Sequence, residues 1–403
     1  MAAVPLLSVT RLGLLHSIRS FLPTLPLPTL AIPAAIHLNI PNLLPGIWES
    51  ILRAVPKKKQ SHSRKRMRQL AGKALQDITA LNNCPACGKI KRENMLCEPC
   101  GTSSQVVAHP SDIFSIAVNP EYAISAGGDS SIQVWSLHQP GHPLVHKFEN
   151  VHSLGVHHLA TNKDGGFAAS AGFDGTINIW DLKTFSLVKQ VAKGRSAGEV
   201  WAISLSPTGN FMAATTYNGR VCVYDVSGHG EKVREYETKG SFGMSVDISA
   251  DGKLVASGHE NGGVYIFNNE TGKIHHSLPG LIRTVRCVAF SPGGRLLAAA
   301  GDSNIIALYD VISGEQVGNL SGHSSWIFSV SWSQTGEYIL SGAFDGKVKV
   351  WSTDSKTCVA THTENDKALY GVKWIPKSSS IGEGFLTAGA NGNICFYREA
   401  TGS

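Results

Sequence analysis

Short alternating strands recur along the chain from about residue 105 to residue 398. Each repeat opens with an apolar strand, such as FSIAV or FSVSWS, and continues with a second strand, a turn and a third strand. The turns, such as FDGT, YNGR and ANGN, are of the Asx-Gly type that reverses paired strands. The third strands end at aromatic residues 42 to 45 positions apart: Trp135, Trp180, Tyr224, Phe267, Tyr309, Trp351 and Phe396. Seven such repeats predict an all-β fold, a seven-bladed β-propeller over residues 102–403.

The ends of the repeat region predict how the ring closes. The third strand of the last repeat ends near Tyr397, and only six residues follow it. The fourth strand of that blade therefore has to come from the segment before the first blade, Thr102–Ala108. Pairing there would remove the open sheet edges that promote aggregation.

Three repeats share a set of polar residues at fixed spacing: His109, Ser125, Asp129 and Trp135; His152, Ser170, Asp174 and Trp180; His323, Ser341, Asp345 and Trp351. In a propeller this spacing lets the turn Asp bond the loop His, which meets the Ser and the Trp indole. A catalytic interpretation is disfavoured because a nucleophilic site needs one exposed Ser rather than several strand residues. We therefore predict a structural network.

Aligning the seven first strands on their central apolar residue brings one position into register in every blade. That position holds Phe114, His157, Trp201, Met244, Arg286, Phe328 and Tyr370, and Phe173, Trp326 and Phe344 come from adjacent loops. In propellers of this kind a bulge turns the position toward the rim of the central channel, where aromatic residues and Arg favour partner binding. The alternative is that strict alternation points these side chains into the core.

Charge and cysteine usage divide the chain near residue 101. Residues 1–101 hold fourteen Lys and Arg against four Asp and Glu, and the remainder holds twenty-two against twenty-six. A polyanionic partner therefore belongs to the N-terminal part. Four cysteines are scattered through the repeats, where they are expected to be small buried residues of a reducing compartment: Cys222, Cys287, Cys358 and Cys395.

Residues 1–53 have the composition of a targeting segment. There is no Asp or Glu before Glu49, and prolines interrupt the apolar stretch too often for a membrane helix. These features predict a mitochondrial presequence. A disordered extension or mistranslated upstream sequence is the alternative.

Residues 54–101 combine a basic arm with two C-x-x-C pairs. The arm, KKKQSHSRKRMRQLAGK, contains eight Lys and Arg and no acid, so it is expected to bind phosphates: Lys57, Lys58, Lys59, Arg64, Lys65, Arg66, Arg68 and Lys73. A solvated tail or a nuclear-import signal is the alternative for a basic run alone. The four thiols predict one closed structural zinc site: Cys84, Cys87, Cys97 and Cys100.

The stretch AVPKKKQSHSRKRMRQLAGKAL, followed by LNNCPACGKIKRENMLCEPC, resembles the mitochondrial form of bacterial-type protein thirty-two of the large ribosomal subunit. The resemblance covers about residues 54–100. It implies that the arm threads into ribosomal RNA beside other large-subunit proteins, that the four cysteines bind zinc, and that a presequence is removed near Ala54–Val55. The family continues past its last knuckle with a short tail, whereas this chain changes character at Cys100–Gly101.

Residues 105–398 resemble the WD-repeat subunit of the Superkiller complex, through segments such as GEVWAISLSPTGNFMAATTYNGRVCVYDV and SFGMSVDISADGKLVASGHENGGVYIF. The resemblance implies a scaffold that joins helicase and tetratricopeptide subunits feeding messenger RNA to the exosome. It also implies related roles in meiotic recombination and in a transcription-elongation complex.

The two resemblances imply different compartments: the mitochondrial ribosome for the N-terminal module, and the cytoplasm and nucleus for the propeller. Three interpretations follow: a true fusion, a bifunctional locus whose products separate near Gly101, or a join of two neighbouring genes or alternative exons. An enzyme is disfavoured because the sequence has no phosphate-binding loop, unique nucleophile or open metal site. We expect neither a small-molecule substrate nor a membrane.

Overall fold

The computed structural model describes residues 102–192, 199–239, 241–364, 366–377 and 384–398. It also describes the backbone of two short paired strands, β1 (Leu81–Asn83) and β2 (Ile90–Arg92). The chain divides into two compact units, Met1–Asp77 and Ile78–Ser403, and the first lies outside the described residues.

From residue 102 onward, the described residues form seven four-stranded antiparallel sheets, each one blade. Blade 1 contains β4 (Ile113–Val118), β5 (Tyr122–Gly127), β6 (Ile132–Ser136) and β7 (Leu144–Phe148). Blade 2 contains β8 (Val156–Thr161), β9 (Phe167–Gly172), β10 (Ile177–Asp181) and β11 (Ser186–Ala192). Blade 3 contains β12 (Val200–Leu205), β13 (Phe211–Thr216), β14 (Val221–Asp225) and β15 (Lys232–Tyr236).

The remaining blades follow the same order from the innermost to the outermost strand. Blade 4 contains β16 (Gly243–Ile248), β17 (Leu254–His259), β18 (Val264–Asn268) and β19 (Lys273–Leu278). Blade 5 contains β20 (Val285–Phe290), β21 (Leu296–Gly301), β22 (Ile305–Asp310) and β23 (Gln316–Ser321). Blade 6 contains β24 (Ile327–Trp332), β25 (Tyr338–Ala343), β26 (Lys347–Ser352) and β27 (Thr357–Thr363). Blade 7 contains β28 (Leu369–Ile375), β29 (Gly384–Gly389), β30 (Asn393–Arg398) and β3 (Thr102–Val107).

Blade 7 joins the two ends of the repeat region. Strand β3 pairs antiparallel with β30 in an unbroken register, from Thr102 opposite Arg398 to Val107 opposite Asn393. The innermost strands of neighbouring blades pack on each other around the whole ring, and β28 of blade 7 packs on β4 of blade 1. The predicted seven-bladed propeller is confirmed, with its last sheet completed by the segment that precedes the first blade.

The core lies between adjacent blades. The second and third strands of each blade are buried almost throughout because both of their faces are covered by neighbouring sheets. Between blades 5 and 6, for example, Leu308, Ile339 and Trp351 are at most 1% exposed and belong to one apolar cluster. The outermost strands are largely exposed, as Leu144 and Val145 of β7 show.

The scattered cysteines do not all lie in this core. Cys222, Cys287 and Cys395 are buried free thiols, as their strand positions predict. Cys358 is exposed, so the expectation for it was wrong. It lies on β27, the outermost strand of blade 6, which has no neighbouring strand on one edge.

Candidate functional site

Each innermost strand has a register irregularity beside its second residue. In blade 6 the pairing with β25 shifts between Ile327 and Ser329, so Phe328 has no partner across the sheet. A shift at the equivalent position occurs in the other six innermost strands, and in blade 3 it spans both Trp201 and Ala202. A β-bulge of this kind redirects a side chain. The seven bulge residues line the mouth of the central channel: Phe114, His157, Trp201, Met244, Arg286, Phe328 and Tyr370.

We call these seven residues the rim, and the face of the ring that carries them the rim face. Six of them are half-buried, and His157 is 7% exposed. They border the channel mouth, and Trp201 also packs against the apolar cluster between blades 3 and 4, in part as the core alternative expects. The structure brings together in space residues that lie more than forty positions apart in sequence.

The aromatic residues of the rim form a continuous arc of ring contacts. The centroid of Tyr370 lies 5.2 Å from that of Phe328 and 5.7 Å from that of Phe114. Phe114 lies 5.6 Å from Phe173, whose ring is 6.1 Å from Trp201. Offset and edge-to-face rings at these distances attract each other. The arc extends from blade 6 through blades 7, 1 and 2 to blade 3.

Arg286 continues the arc on the blade 5 side. Its Nη2 donates to Oδ2 of Asp302 at 3.2 Å, and its Nε donates to Oδ1 of the same carboxylate. The guanidinium carbon lies 4.9 Å from the ring centroid of Trp326 and 5.2 Å from that of Phe328. Trp326 is 43% exposed and Phe344, next to it, is 50% exposed. Because Asp302 neutralises Arg286, this part of the rim presents apolar surface with little net charge.

Three contributors to the rim face were not predicted from the sequence. Phe242 lies 5.1 Å from Trp201, Ile282 is 87% exposed, and Asp302 pairs with Arg286. Phe242 and Ile282 precede an innermost strand, and Asp302 lies at the turn position of Phe344. Their positions in the repeat could have identified them. The turn after the second strand and the loop before the innermost strand are hydrogen-bonded to each other, as the bond from the Phe344 amide to the Trp326 carbonyl shows.

The three His, Ser, Asp and Trp sets form buried hydrogen-bond networks. In blade 6, His323 Nε2 lies 2.8 Å from Ser341 Oγ, and its Nδ1 lies 3.1 Å from Asp345 Oδ2. The Trp351 indole donates to the same Ser341 oxygen at 2.8 Å. Blades 1 and 2 repeat these contacts with their own residues. Ser341 is 0% exposed and its oxygen is already engaged twice, so the set has the geometry of a structural network.

Burial and hydrogen bonds set the protonation of these groups. Burial lowers the pKa of His323 below its usual value, although the Asp345 carboxylate opposes the shift. Burial alone would raise the pKa of Asp345, but hydrogen bonds from the Ser324 amide and from His323 bring it below the ordinary value. At neutral pH the imidazole is therefore neutral, with Nδ1–H donating to the carboxylate and Nε2 accepting from the Ser341 hydroxyl.

Two other blades contain related networks that the sequence interpretation missed. In blade 4, His259 Nε2 lies 2.9 Å from Ser257 Oγ, with the histidine on the strand rather than in the loop. In blade 7, Thr387 donates to Glu364, which replaces the loop histidine. The prediction that Phe396 is the aromatic residue that ends the third strand of blade 7 was wrong by one position. Tyr397 pairs with the first core position of β29 and lies six residues after the turn residue Asn391, as Trp351 does after Asp345.

Comparison with known proteins agrees with this architecture. The sequence pattern of the WD domain, G-beta repeat family matches residues 101–136, 143–181, 187–225, 272–310 and 314–352. Meiotic recombination protein rec14 of Schizosaccharomyces pombe is 41% identical over 293 residues, which cover 73% of this chain and 95% of rec14. The chain belongs to the WD-repeat family. The matched repeats leave out the three inner strands of blades 4 and 7 of this WD-repeat protein, which the structure shows as complete four-stranded sheets.

Two further similarities concern the two parts of this WD-repeat protein separately. Antiviral protein SKI8 of Saccharomyces cerevisiae is 27% identical over 322 residues, covering 64% of this chain and 81% of SKI8. The pattern of the Ribosomal L32p protein family matches residues 54–107. Large ribosomal subunit protein bL32m of Neurospora crassa is 64% identical over 73 residues, which are 17% of this chain and 57% of bL32m. The resemblances to a ribosomal protein and to a Superkiller WD-repeat subunit are therefore confirmed.

The candidate residues of the N-terminal part lie outside the described residues, as does the predicted presequence, residues 1–53. They are the thiols Cys84, Cys87, Cys97 and Cys100 and the cations Lys57, Lys58, Lys59, Arg64, Lys65, Arg66, Arg68 and Lys73. Within the described part of the chain, no group of three or more His, Cys, Asp or Glu side chains could hold a metal ion. No helix there is long and apolar enough to cross a membrane.

Proposed function

We propose that this WD-repeat protein is a non-catalytic scaffold with two modules. The rim binds protein partners, and residues 54–101 bind ribosomal RNA and one structural zinc ion. The observation that carries the proposal is the partly exposed aromatic arc at the channel mouth, flanked by Trp326 and Phe344. Aromatic residues and Arg at an exposed concave surface are the groups that contribute most to protein binding.

For the rim, we propose tetratricopeptide and helicase subunits of a Superkiller-like complex as partners. The similarity to SKI8 and to the meiotic recombination protein rec14 supports this assignment. No catalytic family is among the matched patterns, which supports a scaffold rather than an enzyme.

For residues 54–101, we propose a place on the mitochondrial large ribosomal subunit, supported by the similarity to bL32m. Strands β1 and β2 fit a zinc module, because they pair antiparallel on either side of residues 84–89, which contain the first C-x-x-C pair. Cys84, Cys87, Cys97 and Cys100 would hold the ion, whose role is to stabilise the fold.

A second candidate function is a propeller that acts without the ribosomal module, in messenger RNA decay, meiotic recombination or transcription elongation. Strand β3 favours it, because it begins two residues after Cys100 and overlaps the end of the ribosomal match at residues 102–107. Trypsin leaves no site between residues 93 and 147, so a peptide spanning them would establish the fused chain. Separate transcripts with no such peptide would favour the propeller alone.

The rim proposal is tested by capture of a tetratricopeptide partner with a Trp201→Ala, Phe328→Ala double variant. We expect binding to fall more than tenfold while the melting temperature stays nearly unchanged, because aromatic anchors dominate such interfaces. Phe211→Ala is the matched control, since this aromatic is 38% exposed at the opposite end of blade 3. Equal capture by both variants would reject the rim as the docking surface.

The zinc proposal is tested by metal analysis of the purified full chain. Cys97→Ser is expected to remove the bound zinc, because a closed site needs all four thiolates. Cys358→Ser is the control, since Cys358 is an exposed thiol of blade 6. Stoichiometric zinc in the Cys97→Ser chain would disprove the assignment.

A further inference from the structure

Below the rim, the central channel contains charged side chains that rim binding does not explain. The channel has a volume of about 490 Å³, within the range of small-molecule sites. Three residues after each bulge, the innermost strands place mostly small side chains, such as Ala117, Ala160 and Ala289. Two blades depart from this pattern: blade 4 contributes Asp247 and blade 7 contributes Lys373.

The two charges are not equivalent. Asp247 is bonded on both sides, because it accepts from the Ser204 hydroxyl at 3.2 Å and from the Phe290 amide at 2.8 Å. The Lys373 ammonium donates to no protein acceptor among the described residues, and Asp247 is not within ion-pair distance of it. Burial lowers the pKa of Lys373, and Asp247 only partly offsets that effect. Lys373 is half-buried and lines the channel, so its ammonium, with three donors, is accessible to a group that enters there.

His158 adds a second donor to the channel wall. Its Nδ1 accepts from the Ile203 amide at 3.4 Å, which places the proton of the neutral ring on Nε2. Burial, with smaller contributions from the nearby His157 and Lys373, lowers the pKa of His158 to about 3, so the ring stays neutral. Cys287 does not compete as an anion, because its thiol donates to the Ala300 carbonyl.

We propose that the channel binds an oxyanion, either a carboxylate or a phosphate group, between the Lys373 ammonium and the Nε2–H of His158. The protein walls of the channel lower the local dielectric, which strengthens charge-assisted hydrogen bonds. The group comes either from a free small anion or from the terminal carboxylate of a chain that enters the channel mouth. The site needs neither the docking of a partner on the rim nor the ribosomal module.

The test is calorimetric titration of the full chain with four probes: inorganic phosphate, citrate, acetyl-trialanine with a free carboxylate, and the same peptide as its carboxamide. We expect Lys373→Met to weaken binding about tenfold or more, because a charge-assisted bond is lost. We expect Asp247→Asn to tighten binding several-fold, since it removes an opposing charge and keeps an acceptor for Phe290. Lys163→Met, an exposed lysine on the opposite face, is the matched control.

Binding of phosphate or citrate that depends on Lys373 identifies a free anion as the source. Binding of the peptide acid alone, with none of its carboxamide, identifies a chain terminus. The proposal is overturned if Lys373→Met and the wild-type chain bind every probe equally, or if neither the wild type nor Asp247→Asn binds any. The rim variants Trp201→Ala and Phe328→Ala test docking separately, so failure of one proposal leaves the other intact.

Discussion

Arg286 and Asp302 form a two-point ion pair within blade 5, between the bulge of the innermost strand and the turn that follows the second strand. Both side chains are partly exposed, so the pair contributes little to stability. Its effect is to neutralise the guanidinium that lies over Trp326 and Phe328. The sequence alone does not indicate this ion pair, although the pair determines the charge of the rim.

We predict that Asp302→Ala weakens partner docking several-fold and makes it depend more on salt, because an unpaired cation is left at an apolar surface. Binding is measured at two ionic strengths. Glu260→Ala is the control, since this exposed acid occupies the same turn position in blade 4. Docking by Asp302→Ala that matches the wild type at both ionic strengths would contradict the prediction.

Strand β3 offers two neighbouring valines with opposite environments. Val106 packs against the cluster that contains Ile394 and Phe396, whereas Val107 is 78% exposed. We predict that Val106→Asp lowers the free energy of unfolding by about 2 to 4 kcal/mol, because a charge is placed against apolar residues. Val107→Asp should change it by less than about 0.5 kcal/mol.

Urea unfolding measures both valine variants. Deletion of residues 101–108 should destabilise the ring more than either substitution, because it removes the whole strand from blade 7. A deleted chain as stable as the parent would show that β3 does not close the ring.

Ser341 is the shared acceptor and donor of the blade 6 network. Ser341→Ala should lower the free energy of unfolding by about 1 to 3 kcal/mol, because the Trp351 indole and the His323 ring both lose a buried partner. Ser324→Ala is the control, since its exposed hydroxyl is one of several donors to Asp345. Calorimetric melting of the two variants separates the effects, and equal melting temperatures would argue against the network.

The buried histidines predict that the ring loses stability in mild acid. Burial lowers the pKa of His109, His152 and His323, and lowers that of His157 to about 4. The unfolded chain therefore binds protons that the folded ring does not, and stability declines as the pH falls below about 6.5. The pKa of Asp174, about 2, acts in the same direction between roughly pH 4 and pH 2, because its hydrogen bonds favour the carboxylate.

Urea unfolding at pH 7.5 and pH 5.0 measures this dependence. His157 alone should contribute about 2 kcal/mol to the difference. His157→Asn should reduce the difference in unfolding free energy between the two pH values by that amount. His138→Asn, on an exposed loop of blade 1, should leave this difference unchanged. An equal difference in unfolding free energy in the wild type and both variants would exclude the proposed role of His157.

The sequence predicted the features that repeat. The period near forty-three residues identified seven blades, and the shortage of residues after Tyr397 identified β3 as the closing strand. Identical spacing also grouped the His, Ser, Asp and Trp sets. What the sequence concealed was substitution within the repeat: His259 occupies a strand instead of a loop, and Glu364 replaces a histidine. Such exchanges preserve the contact in space while changing its position along the chain, so spacing alone cannot find them.

The direction of β3 has a practical consequence. The strand begins opposite Arg398 and ends opposite Asn393, so Thr102 lies at the far end of blade 7 from the rim face. A label or affinity handle fused shortly before Thr102 is therefore tethered on the reverse side of the ring. Immobilising the propeller through that handle would leave the channel mouth pointing into solution, the orientation that surface-based binding assays require.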